Sequence, residues 1–377
     1  MDTLQLTQKL ISIPSFVDQS NSEGKLGLWL FDYLNTQFPY LRVEKQQVST
    51  GRFNIIAKDK FPTRVVICDH IDTVQVGNGW NTNPFDPVLK GNKLYGLGAT
   101  DTKGNVASIL SAVKAVGPTK GLMLVFYVDE EYDFAGAKKF VSKYKNNLSP
   151  EIIASGDGGS LEIGNACRGL IEVIFAVRGK AGHAGNPQSG NNAVSGAFEI
   201  YQEVQKWLTQ FSAKELGLST SNLPWITGGQ SKPNSQELGR EGNVIPDYCE
   251  FAIEVRNAST KLNAKKLVKH VVLSARKKNL KVEKVKIRHD LGAWITKPSD
   301  LAPVSKVFNL TKSGFTRSQG YVDLQMFWEA FGKPTCFTFG AGVGSVAHKP
   351  NEYIDIRNLE KGEKYWTAFI KEYCSVQ

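Results

Sequence analysis

Val65-Val66-Ile67-Cys68-Asp69-His70-Ile71-Asp72 (VVICDHID, residues 65–72) is a short apolar run ending in a histidine and an aspartate. A run of this length, rich in β-branched residues, reads as a strand buried on both faces. Three other stretches share the grammar. LMLVFYVDEE (122–131) ends in Glu130 and Glu131, EIIASGD (151–157) ends in Asp157, and PTCFTFGAGVGSVAH (334–348) reaches His348 through a glycine-rich loop. A fifth acidic residue, Asp101, sits in GLGATDTKG (96–104), where a helical pattern begins that runs from about Lys103 to Val116. In open α/β sheets, ligands bind outside the carboxyl ends of the strands. These residues are therefore expected to converge on one sheet edge. Two histidines and several carboxylates there read as a metal site rather than a packing accident.

Outward from this edge, residues 1–168 alternate between helix and strand patterns. An amphipathic opening helix precedes LRVEKQQV (41–48), FNIIAKD (53–59) and the strands above, with a helix around AGAKKFVSKYK (135–145). The alternation predicts an α/β fold: a mixed sheet with helices on both faces. From about Gly169 the grammar changes. LIEVIFAV (170–177) and CEFAIEV (249–255) alternate as half-buried strands. NNAVSGAFEIYQEVQKWL (191–208) repeats apolar residues at helical spacing, and STKLNAKKLVKHVVLSARKK (259–278) does so behind a cap candidate, Ser259. LKVEKVKI (280–287) closes the block. This predicts an inserted α+β domain at 169–289, and residues 290–377 return to the first domain. The loop 228–247 reads as turn-rich surface.

The chain has 377 residues, which favours two domains. No apolar stretch approaches the ~18 residues of a membrane helix, and no signal peptide is visible. Five scattered cysteines, none in a CxxC pair, point to reduced thiols in a cytoplasm. The net charge of +10 is read as a dispersed, solvated surface, densest at 277–289. No nucleic-acid motif accompanies it, so neither nucleic acid nor membrane is expected as a partner. His270 and His289 are expected at the surface.

The chemistry follows from residue types. Strand side chains alternate, so His70 and Asp72 share a face, and Asp72 can accept the proton of the non-ligating nitrogen of His70. Of the Glu130–Glu131 pair, one carboxylate can bind a metal while the other reaches a water, taking its proton and returning it to a leaving amine. Asp101, flanked by Gly98 and Gly104, can bridge two cations; Thr100, Asp101 or Thr102 would alternatively serve as a helix cap.

Taken jointly, HIDTV (70–74), the segment 80–104, VDEEYDFAGAKKF (128–140), RGKAGHAGNPQSGNNAV (178–194), NVIPDYCEFAIEVR (243–256) and AHKPNEYI (347–354) resemble the zinc-dependent peptidases and deacylases. That family includes acetylornithine deacetylase, succinyl-diaminopimelate desuccinylase, glutamate carboxypeptidase and tripeptide aminopeptidase. The resemblance implies a di-zinc catalytic domain with an inserted lid and dimerisation domain. It implies that His70, Asp101 and Asp157 hold one zinc, that His348, Asp101 and Glu131 hold the other, and that Co2+ or Mn2+ can substitute. Glu130 would be the general base, with Asp72 orienting His70. His183 would cross a homodimer interface to the partner's site, and Asn243 and Arg256 would hold a substrate carboxylate. Three carboxylate ligands would offset three of the four positive charges on two zinc ions.

The chain departs from the family in two places. Gly156-Asp157-Gly158 stands where the deacylases carry Gly-Glu-Pro, and TKSGFTRSQGYVDLQMF (311–327) replaces a Gly-Thr-x-Asp substrate loop. Asp323 would be the corresponding aspartate and Arg317 an added anion contact. The expected activity is cytoplasmic deacylation of an N-acyl amino acid. The alternative is a di- or tripeptidase or carboxypeptidase. A non-catalytic metal-binding protein is disfavoured because Glu130 is retained.

Overall fold

Strand Val65–His70 pairs in parallel with Leu122–Tyr127 on one side and with Ile152–Ser155 on the other. Every residue of the three strands is buried, as continuous apolar runs require in a sheet covered on both faces. The structure is a computed structural model and describes residues 1–232, 237–309, 316–318 and 321–376. Thr335–Thr338 adds a fourth parallel strand beside Ile152–Ser155. Arg52–Lys58 joins antiparallel to Leu122–Tyr127, and Arg42–Ser49 lies antiparallel beyond it. The sheet is mixed, and its four central strands all end on the same side.

Alternation divides the two faces. Ile67, Leu124, Phe126 and Phe337 face a core shared with Val106, Leu110, Trp366 and Phe369, from helices Gly104–Val116 and Ile356–Cys374. Tyr127 points the other way and meets Phe327 edge-on at 5.7 Å; Phe327 in turn packs on Phe140 at 5.3 Å. Helices Ala135–Tyr144 and Leu324–Ala330 thus cover the second face. Each large apolar side chain so buried contributes about 1.5–3 kcal/mol.

The described chain forms two compact units. The first holds Met1–Asn165 with the described residues of Thr296–Thr316 and Val322–Gln377; the second holds Ala166–Ile295 with the described residues of Arg317–Tyr321. The chain leaves the first unit at Asn165 and re-enters at Thr296. Thr296 N donates to Asn165 O at 2.8 Å, and Asn165 Nδ2 donates to Thr296 O at 2.8 Å.

In the second unit, strands Ile226–Ser231, Tyr248–Asn257, Gly169–Arg178 and Lys281–Leu291 pair antiparallel in that order. Ile171, Val173, Phe175 and Val177 form one core with Phe251, Ile200, Val204, Leu267 and Val271, so helices Ala193–Leu208 and Ala264–Lys277 cover a single face. Some local expectations change. The second helix is capped by Asn263, whose side chain accepts Lys266 N at 3.0 Å, rather than by Ser259. Ser259 sits in the preceding turn and donates its N–H to Asn257 Oδ1. The 228–247 segment is partly strand: Gln230 and Ser231 pair with Gly239 and Leu238, and 233–236 lie outside the described residues. His289 is buried; the register of its strand shifts between Ile287 and His289 and places it opposite Glu172, with His289 Nε2 3.8 Å from Glu172 Oε2. His270 is half-buried and stacks on Trp207 at 4.4 Å.

Candidate metal centre

Tyr127, His70, Ser155 and Thr338 end the four parallel strands, so the loops after them share one edge of the sheet. His70 and the loop residues Asp101, Glu131, Asp157 and His348 meet there, all within the first unit. They form two groups. His70, Asp101 and Asp157 make one, and Asp101, Glu131 and His348 the other; within each group the candidate ligand atoms lie within 4.8 Å of one another. Asp101 belongs to both. Its Oδ1 lies 3.1 Å from His70 Nε2 and its Oδ2 lies 3.0 Å from His348 Nε2. His348 Nε2 is also 3.1 Å from Glu131 Oε1. Two imidazoles and three carboxylates, one of them turned toward both groups, suit a pair of divalent cations.

Close packing shapes the edge. A Cβ on Gly156 would stand 2.1 Å from Asp69 Oδ2, and one on Gly158 would stand 2.8 Å from the Phe339 backbone. Asp157 is therefore flanked by glycines because its loop runs directly against its neighbours. Asn105 holds this corner, donating to Gly158 O at 3.1 Å and accepting Ala341 N at 2.8 Å.

His70 Nδ1 lies 3.2 Å from Asp72 O and 3.5 Å from Asp72 Oδ1, leaving Nε2 to face Asp101. The Asp72 carboxylate has a further task. It accepts Glu130 N at 3.2 Å and Glu131 N at 3.0 Å, fixing the backbone that carries both glutamates. From the other side, Asp129 takes a left-handed backbone (φ 72°) and its Oδ2 accepts Asp133 N and Ala135 N. Arg52 bridges Asp129 to Glu23, with 2.7 and 2.6 Å bonds to the two Glu23 oxygens.

The electrostatics follow from burial and crowding. Burial pushes the Glu130 carboxyl well above its ordinary range, and Asp323, Asp157 and Glu131 add to this against the pull of His70. Burial and then Asp101 raise Asp157 to about 6. The bonds to Asp101 and Glu131 raise His348 to about 10. Burial alone would raise Asp101, but the two imidazoles hold it below the ordinary range.

Sequence reading missed Glu352. This buried carboxylate accepts Gly98 N at 3.0 Å, Thr100 N at 2.8 Å and Asp101 N at 3.0 Å, clamping the turn that presents Asp101. Asp101 does not cap the following helix, whose N-terminus carries no side-chain cap, and its own N–H is held by Glu352. Thr102 Oγ1 ties the same turn to Asp69 Oδ1 at 2.7 Å. Arg52, Glu23 and Asp129 were also unmarked. No spacing rule would have found them, because each acts on backbone or charge distant in sequence.

Of the other candidates, His183, Asn243, Arg256 and Arg317 belong to the second unit and Asp323 to the first. His183 and Asn243 are exposed on the second unit, where His183 pairs with Val244 and Ala184 N donates to Asn243 O. Arg256 is half-buried there and bonds Glu254 at 2.9 Å. Arg317 is exposed. Asp323 is fully buried in the first unit with neither carboxylate oxygen hydrogen-bonded among the described residues, and burial raises its carboxyl well above the ordinary range. Gln319 and Gly320, within the departing loop, lie outside the described residues.

Acetylornithine deacetylase from Proteus mirabilis strain HI4320 is 26% identical over 98% of this chain and 96% of that protein. An M20 family metallo-carboxypeptidase from Sulfolobus solfataricus superposes with a TM-score of 0.76 at 17% identity, covering 98% of this chain and 99% of that one. A dinuclear metal-binding M20 peptidase from Bacillus subtilis superposes with a TM-score of 0.67 at 16% identity, covering 98% and 96%. The family model described as peptidase family M20/M25/M40 matches residues 66–372. The chain therefore belongs to peptidase family M20/M25/M40 and is a hydrolase of carbon–nitrogen bonds.

Proposed function

We propose that the protein is a di-zinc amidohydrolase that removes the acyl group from an N-acyl amino acid. The observation that carries this is the division of Asp101, with one oxygen toward His70 and the other toward His348. It supports two cation sites sharing one carboxylate: His70, Asp101 and Asp157 for one zinc, and His348, Asp101 and Glu131 for the other, with cobalt or manganese able to substitute. When bound, the ions would polarise the amide carbonyl and acidify a water.

The chain's residues supply the rest. Glu130 is a ligand in neither group, and its raised affinity for a proton suits a base that takes one from water and returns it to the leaving amine. Asp72 holds Glu130 by its backbone and His70 by its Nδ1 side. His183 would donate to the developing oxyanion of the partner subunit's substrate. Asn243 and Arg256 would hold the substrate carboxylate, with Arg256 released from Glu254, and Arg317 and Asp323 would serve the substrate loop. The 169–289 region would act as lid and dimerisation domain, and exposed Phe198, Trp225 and Ile226 offer a second copy an apolar seat. The five cysteines are all buried and free, in keeping with a cytoplasmic setting. Among the described residues no helix is long and apolar enough to cross a membrane.

Peptide hydrolysis is the second reading. It is favoured by Asp157 in place of the deacylases' glutamate and by the likeness to a metallo-carboxypeptidase. The deciding experiment follows amine release by zinc- or cobalt-loaded protein from N-acetylornithine, other N-acyl amino acids, and free di- and tripeptides, with a chelator control. Chelator-sensitive release from acyl amino acids is the expected result. Release from peptides alone would replace the first reading with the second.

A further inference from the structure

The charge is not dispersed, as the sequence reading held. Residues 261–288 carry eleven Lys and Arg against one acidic residue, Glu283, a net of +10. The other residues carry 35 basic and 35 acidic side chains. One segment thus accounts for the whole net charge of the protein, and all of it belongs to the second unit. Helix Ala264–Lys277 buries Leu267 and Val271 and packs on strand Lys281–Leu291, which lies at an edge of its sheet. Lys265, Lys266, Lys269, Leu273, Arg276 and Lys277 are exposed on the opposite face of the helix. Carboxylates neutralise only part of this surface: Glu199 and Glu203 meet Lys278, Glu250 meets Lys284, and Glu172 meets Arg288. On the helix, Lys265, Lys269, Arg276 and Lys277 form no ion pair among the described residues, while Lys281 and Lys286 project to the opposite face of the sheet.

Apolar side chains are exposed on the same helix-bearing side. Leu273 is 46% exposed, Val285 42% and Ile287 46%. Val285 and Ile287 pair with Phe175 and Val173, so they project to the helix-bearing face of the sheet. A cationic field with exposed aliphatic residues matches a surface that is anionic outside and apolar just beneath. Nucleic acid fits less well, because residues 261–291 contain no Phe, Tyr or Trp on which a base could stack, and the imidazole of His270 is already stacked on Trp207. We infer that this face docks peripherally on an anionic phospholipid bilayer, independently of the proposed reaction.

The test is co-sedimentation of the full-length protein with phosphatidylcholine vesicles, with and without phosphatidylglycerol. Binding is expected only to the anionic vesicles and should fall as salt rises. The triple variant Lys269→Glu/Arg276→Glu/Lys277→Glu should bind roughly tenfold or more weakly. Leu273→Ser should weaken binding without changing its salt dependence. Lys364→Glu, an exposed change on the first unit, should bind as the parent does. All three variants should keep the parent's hydrolytic rate and melting temperature, which excludes misfolding as the cause. Equal binding to neutral vesicles, no binding to either, or undiminished binding by the triple variant would overturn the inference. So would displacement from vesicles by duplex DNA or polyglutamate at lower concentration than by anionic lipid.

Discussion

Glu352 accepts the backbone N–H of Asp101 at 3.0 Å, from 251 positions further along the chain. The same carboxylate takes Gly98 N and Thr100 N, so one side chain satisfies three donors of the turn that aims Asp101 at both histidines. Burial, followed by the nearby Asp101, raises Glu352 to about 7. Glu352→Ala should cost about 1–3 kcal/mol for each N–H left without an acceptor. It should also weaken metal binding by roughly 10–100-fold, as loss of a residue that orients a ligand does. Glu352→Gln should do less, since its amide oxygen replaces one carboxylate oxygen while its NH2 opposes a donor. Titration of cobalt into the variants checks this; parental affinity in Glu352→Ala would show that Asp101 holds its place unaided.

Arg52 neutralises two buried carboxylates, Glu23 and Asp129, beside the proposed base. Burial raises Glu23 even with Arg52 in place. Arg52→Ala should destabilise the protein by about 3–5 kcal/mol, because it strands both acids. Arg52→Lys keeps the charge but not the fork of bonds and should fall between. Urea unfolding of the three proteins gives the comparison, and equal midpoints would mean the network adds nothing.

Removing divalent metal should lower the melting temperature. Asp101, Glu131, Asp157 and Glu130 then face one another with only the imidazoles to offset them, whereas a ligand present at a hundred times its Kd stabilises by about 2.7 kcal/mol. Thermal scans with chelator, and after zinc is restored, are the measurement. A melting curve indifferent to both would remove the metal site from consideration.

Glu130→Ala should abolish turnover while the protein retains its metal. His183→Ala should also be inactive alone, yet mixed subunits of the two variants should regain partial activity, because one site in each heterodimer keeps both groups. Activity that stays absent after verified subunit exchange would place His183 in its own subunit's site or outside the chemistry.

His270 stacks on Trp207 and is half-buried, and burial depresses its pKa below 6.5. The unfolded chain therefore binds the proton more readily. The stability this residue contributes is present above about pH 6.5 and is lost as pH falls through the depressed folded value. Acidification should lower the melting temperature less in His270→Phe than in the parent. A pH-dependent change in tryptophan emission should vanish with the histidine; if the parent and variant emission curves superimpose, the stack does not titrate.

The sequence itself determined the sheet edge. An apolar run ending in a ligand residue is a local pattern, and the parallel strands it predicts bring His70 and the loops that carry Glu131, Asp157 and His348 to one edge. The switch to one-sided strands after Gly169 was equally local, since alternation reports a single buried face. Only the tertiary structure decided how Asp101 is held, because Glu352 grips backbone N–H groups, which every residue but proline carries and no motif records. The same holds for Arg52, whose partners lie 29 and 77 positions away. A charge pair between distant strands and loops leaves no periodicity in sequence, so it becomes visible only when the chain has folded around it.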